Sequence, residues 1–176
     1  MVQNAPTEIP EFMRYGNTEH DQLLHTLEDM QQAVMDATQQ ALRSIRIYTP
    51  DLEPGLYDKQ AFIDQLVNFI RGNRHASVQI LVQNSEHAVQ FGHRLVRLAQ
   101  NLTSAIEVRT SATNSITDEF GYLLVDQSTL LYRSHYRKNT ALFTNRCKHR
   151  NGKLQELFNF IWETAELDQQ VRRLTL

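Results

Sequence analysis

The sequence predicts a single α/β domain built on a mixed, mostly parallel sheet with helices on both faces. Three observations carry that expectation. Short runs of β-branched and aromatic residues alternate with helical stretches early in the chain, the mark of parallel strands joined by right-handed crossovers. Two later runs, Glu119 to Val125 and Thr129 to Arg133, are separated only by Asp126, Gln127 and Ser128, a spacing that suits a tight antiparallel hairpin. The 176 residues suffice for one domain with a real core, and 41% hydrophobic with 22% charged residues is the balance of a folded chain, not a disordered one.

The elements follow in order. Residues 1 to 19, polar and carrying Pro6 and Pro10, read as a flexible leading segment ahead of a domain spanning 20 to 166. Thr18 with Asp21 three positions on suits a capping box. Leu23, Leu24, Leu27, Met30, Val34, Ala37 and Ala41 then recur with helical spacing, which predicts a first helix from His20 to Arg43. Ser44 to Thr49 reads as a strand stopped by Pro50. Asp58 is placed to cap a second helix carrying Phe62, Leu66, Phe69 and Ile70 and ending near Gly72. Ser77 to Val82 is the next strand, Ser85 caps a helix through Ala99, and Ala105 to Arg109 is a third strand. After the hairpin, Leu154, Leu157, Phe158, Ile161 and Trp162 share one face of a last helix, Asn151 to Glu166. Leu167 to Leu176 is expected as a tail that extends this helix or frays.

The formal charge of −2 hides an asymmetry. Between Met1 and Asp36, seven acids face Arg14 alone, whereas between Asp126 and Glu156 seven bases occur with no acid among them. That pattern suggests an anion-binding surface, or two surfaces that complement each other. No apolar run is long enough to cross a bilayer, and the first residues lack a signal peptide's basic and apolar regions, so a cytoplasmic protein without membrane insertion is expected. Cys147 is the one cysteine, which rules out an intramolecular disulfide and a two-thiol zinc or redox motif.

The order of elements from Leu42 to Trp162 resembles one half of a phospholipase D superfamily enzyme. The resembling features are the strand SIRIYTP, the basic turn Arg71-Gly72-Asn73-Arg74 and the strand VQILV. The family's motif HxKxxxxD falls on the hairpin, where this chain reads EFGYLLVD, Glu119 to Asp126. Asp126 matches the motif aspartate, while Glu119 stands at the position of the catalytic histidine and Gly121 at that of the lysine. On the return strand, Ser134 matches the serine of the family's GSxN segment, with Arg133 for its glycine and Tyr136 for its asparagine.

The resemblance implies a degenerate site. The family needs that histidine as a nucleophile on phosphorus and the lysine to neutralise phosphoryl oxygens. A carboxylate at Glu119 repels a phosphodiester, and Gly121 offers only its backbone. No catalytic residue is therefore assigned, and a bacterial family of such half-domains is the expected home of the chain. Chains with one motif pair so that two motifs meet, which implies a homodimer.

The stretch Tyr132 to Lys153 interleaves bases with Tyr132, Tyr136 and Phe143, a mixture suited to phosphate contacts and base stacking. On the family template it lines the old cleft, so Arg133, Ser134, His135, Arg137, Lys138, Arg146, Lys148 and Arg150 are the candidate residues for a phosphate-containing ligand or nucleic acid. The other reading is solvated charge, or charge paired with the acidic first helix of the same or another subunit. A sequence pI near 6.4 lies below the roughly 9 common in dedicated nucleic-acid binders.

His20 with His25 and His87 with His93 are not spaced to stack on one helical face, so no metal is expected. His135 with Glu119 across the hairpin forms a candidate relocated acid/base pair. Phosphate-loop, dinucleotide and nucleophile-elbow signatures are missing from the sequence, and no cofactor is assigned. The expected function is a non-catalytic binding or interaction module, the alternative a phosphodiesterase or nuclease with relocated catalytic residues.

Overall fold

A computed structural model of the chain describes residues 20–111, 119–145 and 148–172. Its centre is an eight-stranded mixed sheet in the order β1-β7-β6-β5-β2-β3-β4-β8. The strands are β1 (Asp21–Leu24), β2 (Ser44–Thr49), β3 (Ser77–Val82), β4 (Ile106–Thr110), β5 (Gly121–Val125), β6 (Thr129–Arg133), β7 (Ala141–Thr144) and β8 (Glu166–Leu167). The helices are α1 (Leu27–Gln39), α2 (Pro54–Tyr57), α3 (Gln60–Gly72), α4 (Glu86–Gln90), α5 (Arg94–Asn101), α6 (Lys148–Thr164) and α7 (Gln169–Arg172).

The period of two in the strands sorts their side chains onto two cores. Ile45, Ile47, Val78, Ile80, Val82, Leu123, Val125 and Leu131 meet α1, α3 and α5 on one face. Tyr48, Leu81, Tyr122, Leu124, Leu130 and Tyr132 meet Leu154 and Phe158 of α6 on the other. With both faces covered, every residue of β5 and β6 is buried, which is why those strands are near-continuous apolar runs.

The mixed α/β architecture is as expected, but the sheet is not mostly parallel. Only β2–β3 and β3–β4 pair parallel; the other neighbouring strands pair antiparallel. The expected first helix is also shorter. Asp21–Leu24 is drawn into the sheet as an edge strand against β7, and Thr26 caps α1 by accepting from the Asp29 N–H at 3.0 Å. Thr18, the cap expected from sequence, lies outside the described residues.

Asp58 does not cap α3. Its carboxylate accepts instead from the Arg94 N–H at 2.9 Å, tying the start of α5 to the loop between α2 and α3. The helix expected from Ser85 to Ala99 is broken at Gly92, whose φ of +70° only glycine adopts freely, and Ser85 makes no capping bond. His93 restarts the chain as α5, its Nδ1 accepting from the Leu95 N–H. The last helix begins at Lys148 and stops at Thr164. Leu167 to Arg172, expected as a tail, contribute to β8 and α7. Asp168 holds them by accepting from the Gln170 and Val171 N–H groups and the Thr110 hydroxyl. No helix among the described residues is long and apolar enough to cross a membrane.

Candidate functional site

The two parallel pairs and the hairpin give the sheet a defined carboxyl edge, where ligand sites of α/β sheets gather because strand ends and loops converge there. Thr49 ends β2, Gly121 opens β5, and Arg133, paired in register with Gly121, ends β6. Glu119, Ser134 and His135 flank these strand ends, so the structure brings Glu119, Gly121, Arg133, Ser134 and His135 into one place.

At the centre is a buried ion pair. Arg133 Nη1 donates to Glu53 Oε2, and Nη2 donates to the carbonyl oxygens of Tyr136 and, at 2.7 Å, Lys138. Both side chains are almost fully enclosed, Arg133 at 6% and Glu53 at 4% exposure. Burial lowers the Arg133 pKa from its ordinary value, with Asp51 opposing the shift. Glu53 reaches the pair from a left-handed backbone, φ 33°, directly after Leu52 at φ 67°. Two such residues in succession are strained and hold only where packing enforces them. The Thr49 hydroxyl donates to Glu53 Oε1 and accepts from the Leu52 N–H, which fixes this turn.

Asp51 lies beside the pair and accepts from the Glu53 N–H at 3.0 Å. Burial raises its carboxyl above the ordinary range, while His87, Arg137, Arg133 and His93 pull it back. On the outer side, His135 Nδ1 and Glu119 Oε2 are 2.7 Å apart, and the Tyr136 N–H donates to the Glu119 carbonyl at 2.7 Å. Arg137 is exposed, donates through Nε to the Tyr136 hydroxyl and sits over that ring. This bond raises its pKa. Lys138 is exposed.

The remaining basic candidates are elsewhere. β7 carries the chain back across the sheet, so Lys148 and Arg150 open α6 at the opposite, amino edge, where Asn151 donates to the Gln127 carbonyl in the hairpin turn. The expectation that the whole stretch lines one cleft is therefore corrected. Arg150 is buried and donates to Asp21 Oδ2 at 2.7 Å, pinning β1 to α6. Arg146 lies outside the described residues, as does Cys147. Among the described residues, Arg133 and Arg137 lie close to the carboxylates of Asp51, Glu53 and Glu119.

Asp126 is also remote from this edge. Its carboxylate accepts from the N–H groups of Leu42, Arg43 and Ser44, each at 2.9 Å, and ties the hairpin turn to the start of β2. Sequence reading missed Asp51 and Glu53. Their signal was available: acids in the loop after the first strand of a parallel pair are delivered to the carboxyl edge. Among the described residues no group of three or more His, Cys, Asp or Glu is placed to hold a metal ion.

Solved structures share this fold. The chain is similar to Nuc, a phospholipase D family member from Salmonella typhimurium, at 16% identity and a TM-score of 0.62, covering 84% of this chain and 97% of that one. It is similar to NucT from Helicobacter pylori at 11% identity and a TM-score of 0.58, covering 84% and 98%. It is also similar to TrmBL2, an archaeal chromatin protein described as binding DNA in a novel mode, at 15% identity and a TM-score of 0.63. That match covers 93% of this chain but spans only 57% of the chromatin protein. The architecture is thus phospholipase D-like. No curated protein sequence matches the chain. Residues 26–174 match the family described as "Domain of unknown function (DUF7931)", and the chain belongs to that family.

Proposed function

We propose that the chain is a non-catalytic binding module on a degenerate phospholipase D-like half-domain. The observation that carries this reading is the Glu53–Arg133 pair. A Cβ on Gly121 would stand 2.8 Å from Glu53 Oε1, so the volume in which a motif lysine would begin is filled by a carboxylate the protein itself neutralises. A phosphodiester entering there meets neither the histidine nor the lysine of the family reaction, and the nearest cation is already paired.

Arg137 and Lys138 are the exposed cations at this edge, with Ser134 and His135 beside them. A phosphate-containing ligand or nucleic-acid backbone is the ligand this rim suits, held by charge rather than cut. Pairing of two copies, implied by the resemblance, is part of the same proposal, and sedimentation at low and high salt tests it.

The deciding experiment combines turnover of a chromogenic phosphodiester and of single-stranded DNA with DNA binding across a salt series. Binding that falls steeply with salt and weakens on Arg137→Ala and Lys138→Ala, with no turnover, is expected. A second reading rests on the 2.7 Å contact between His135 and Glu119, the geometry of an acid/base pair. Turnover that His135→Ala abolishes would establish it and overturn the first.

A further inference from the structure

At the amino edge, away from the site above, a cavity of 590 Å³ opens between the end of α1 and the second half of α3. Its size is that of a small-molecule site. Gln65, Asn68, Phe69 and Gly72 follow at spacings of three, one and three, so α3 presents them along one stripe. Gln39 and Leu42 close the other side. Asn73, which also lines it, is committed to the fold: its amide donates to the Leu42 carbonyl and accepts from the His75 N–H.

The other amides are not committed. Gln65 Oε1 is buried with no hydrogen-bond partner, and among the described residues the side chains of Gln39 and Asn68 make no hydrogen bond. A buried acceptor left unpaired costs stability unless a ligand donor satisfies it. Leu42, 74% exposed, and Phe69 supply apolar surface beside these amides. No acidic or basic side chain lines the cavity, but Arg43, Arg71 and Arg74 each directly follow or precede a lining residue and are exposed. The side chains of Arg43 and Arg71 have no partner among the described residues. The Asp126 carboxylate, which reaches the Leu42 N–H, is occupied by three backbone donors.

The ligand that fits is flat, partly apolar, carries donors and acceptors on its edge, and bears an anionic group. Free glutamine and asparagine amides pair with the donor–acceptor edge of a nucleobase, and arginines hold phosphate. We propose that this cavity is a mononucleotide site, with the base against Gln39, Gln65, Asn68 and the Leu42 side chain and the phosphate on Arg43, Arg71 and Arg74. The site does not depend on the reading of the carboxyl edge.

Gly72 provides a clean test, because a Cβ there meets nothing within 4 Å. Gly72→Leu adds an apolar side chain to the cavity lining at a position where its first carbon meets no neighbour. Calorimetric titration with AMP, adenosine and inorganic phosphate is the measurement. AMP is expected to bind saturably and about tenfold or more tighter than either fragment. Gly72→Leu weakens it by about tenfold or more with the unfolding midpoint kept. Gln65→Ala weakens AMP and adenosine alike, and Arg71→Ala weakens AMP but not adenosine. No saturable AMP binding at millimolar concentration, AMP binding indifferent to Gly72→Leu, or phosphate binding as tightly as AMP would each overturn the proposal.

Discussion

The Glu53 carboxylate occupies the space that a side chain on Gly121 would need. Oε1 lies 2.8 Å from where a Cβ would stand, and the Tyr48 carbonyl oxygen lies at 3.1 Å on another side. Glycine at 121 is thus a packing requirement of the buried pair, since Arg133 holds the carboxylate in place. Gly121→Ala must push Glu53 off Arg133, and a loss of about 2–3 kcal/mol in urea unfolding is expected. In a Glu53→Ala background the same change should cost less, with a coupling of about 1 kcal/mol or more. Additive costs would show that the two residues do not compete for the space.

The Arg150–Asp21 pair bridges residues 129 apart in sequence and fastens the edge strand β1 to the start of α6. Arg150→Met takes a charged partner from a buried carboxylate, a change expected to cost about 2 kcal/mol or more. The effect should be local first. Amide exchange in residues 21–24 and 141–144 should accelerate more than in β2 and β3. Uniform acceleration across the sheet would argue against a fastening role.

Asp126 caps three backbone N–H groups from a left-handed conformation, φ 52°. Asp126→Ala removes the acceptor and puts at that φ a residue that adopts the left-handed region less readily than aspartate, so a loss of about 3 kcal/mol or more is expected. Asp126→Asn tolerates the backbone and keeps one acceptor, and should lose roughly half as much. Equal unfolding midpoints for Asn and Ala variants would contradict the capping argument. DNA binding is not expected to change in Asp126→Asn, because Asp126 is tied to the start of β2 at the amino edge.

Stability should decline on mild acidification through His93. Burial lowers its imidazole below the ordinary 6.5, outweighing the opposing pull of Asp58, and Nδ1 must stay unprotonated to accept from the Leu95 N–H. The unfolded chain takes up this proton near 6.5, so the contribution is present above that pH and is lost as pH falls through the lower folded value. Asp51 works the other way: burial raises its carboxyl above 3.8, so its contribution is full below 3.8 and lost as pH rises through the folded value. His93→Asn keeps a capping acceptor and isolates the histidine. Between about pH 7.5 and about pH 5.5 the wild-type unfolding midpoint should fall further than that of the variant. Parallel declines would sink the assignment.

Most of the architecture was legible from periodicity. The strands SIRIYT and SVQILV and the hairpin around Asp126 lie within a residue or two of their expected places, because alternating or continuous apolar runs leave a strand few other ways to bury its side chains. Elements decided by partners were not legible. Asp21–Leu24 has helical spacing in sequence, yet β7 offers it a free edge and Arg150 a counter-charge. Ala141–Thr144 is four residues long and hidden in a basic stretch, and only the open edge of β6 makes it a strand.

The chain's one-dimensional pattern determined its class of fold and its two apolar cores, because each of these depends on residue type at fixed spacing. Only the tertiary structure decided which charges are available. Arg133 and Arg150 look alike in sequence to Arg137 and Lys138, but the first two are buried against Glu53 and Asp21 and the latter two face solvent. Charge neutralisation acts over a few ångströms in space. Glu53 is 80 positions from Arg133 along the chain, and only the folding of both onto the carboxyl edge of the sheet makes them partners.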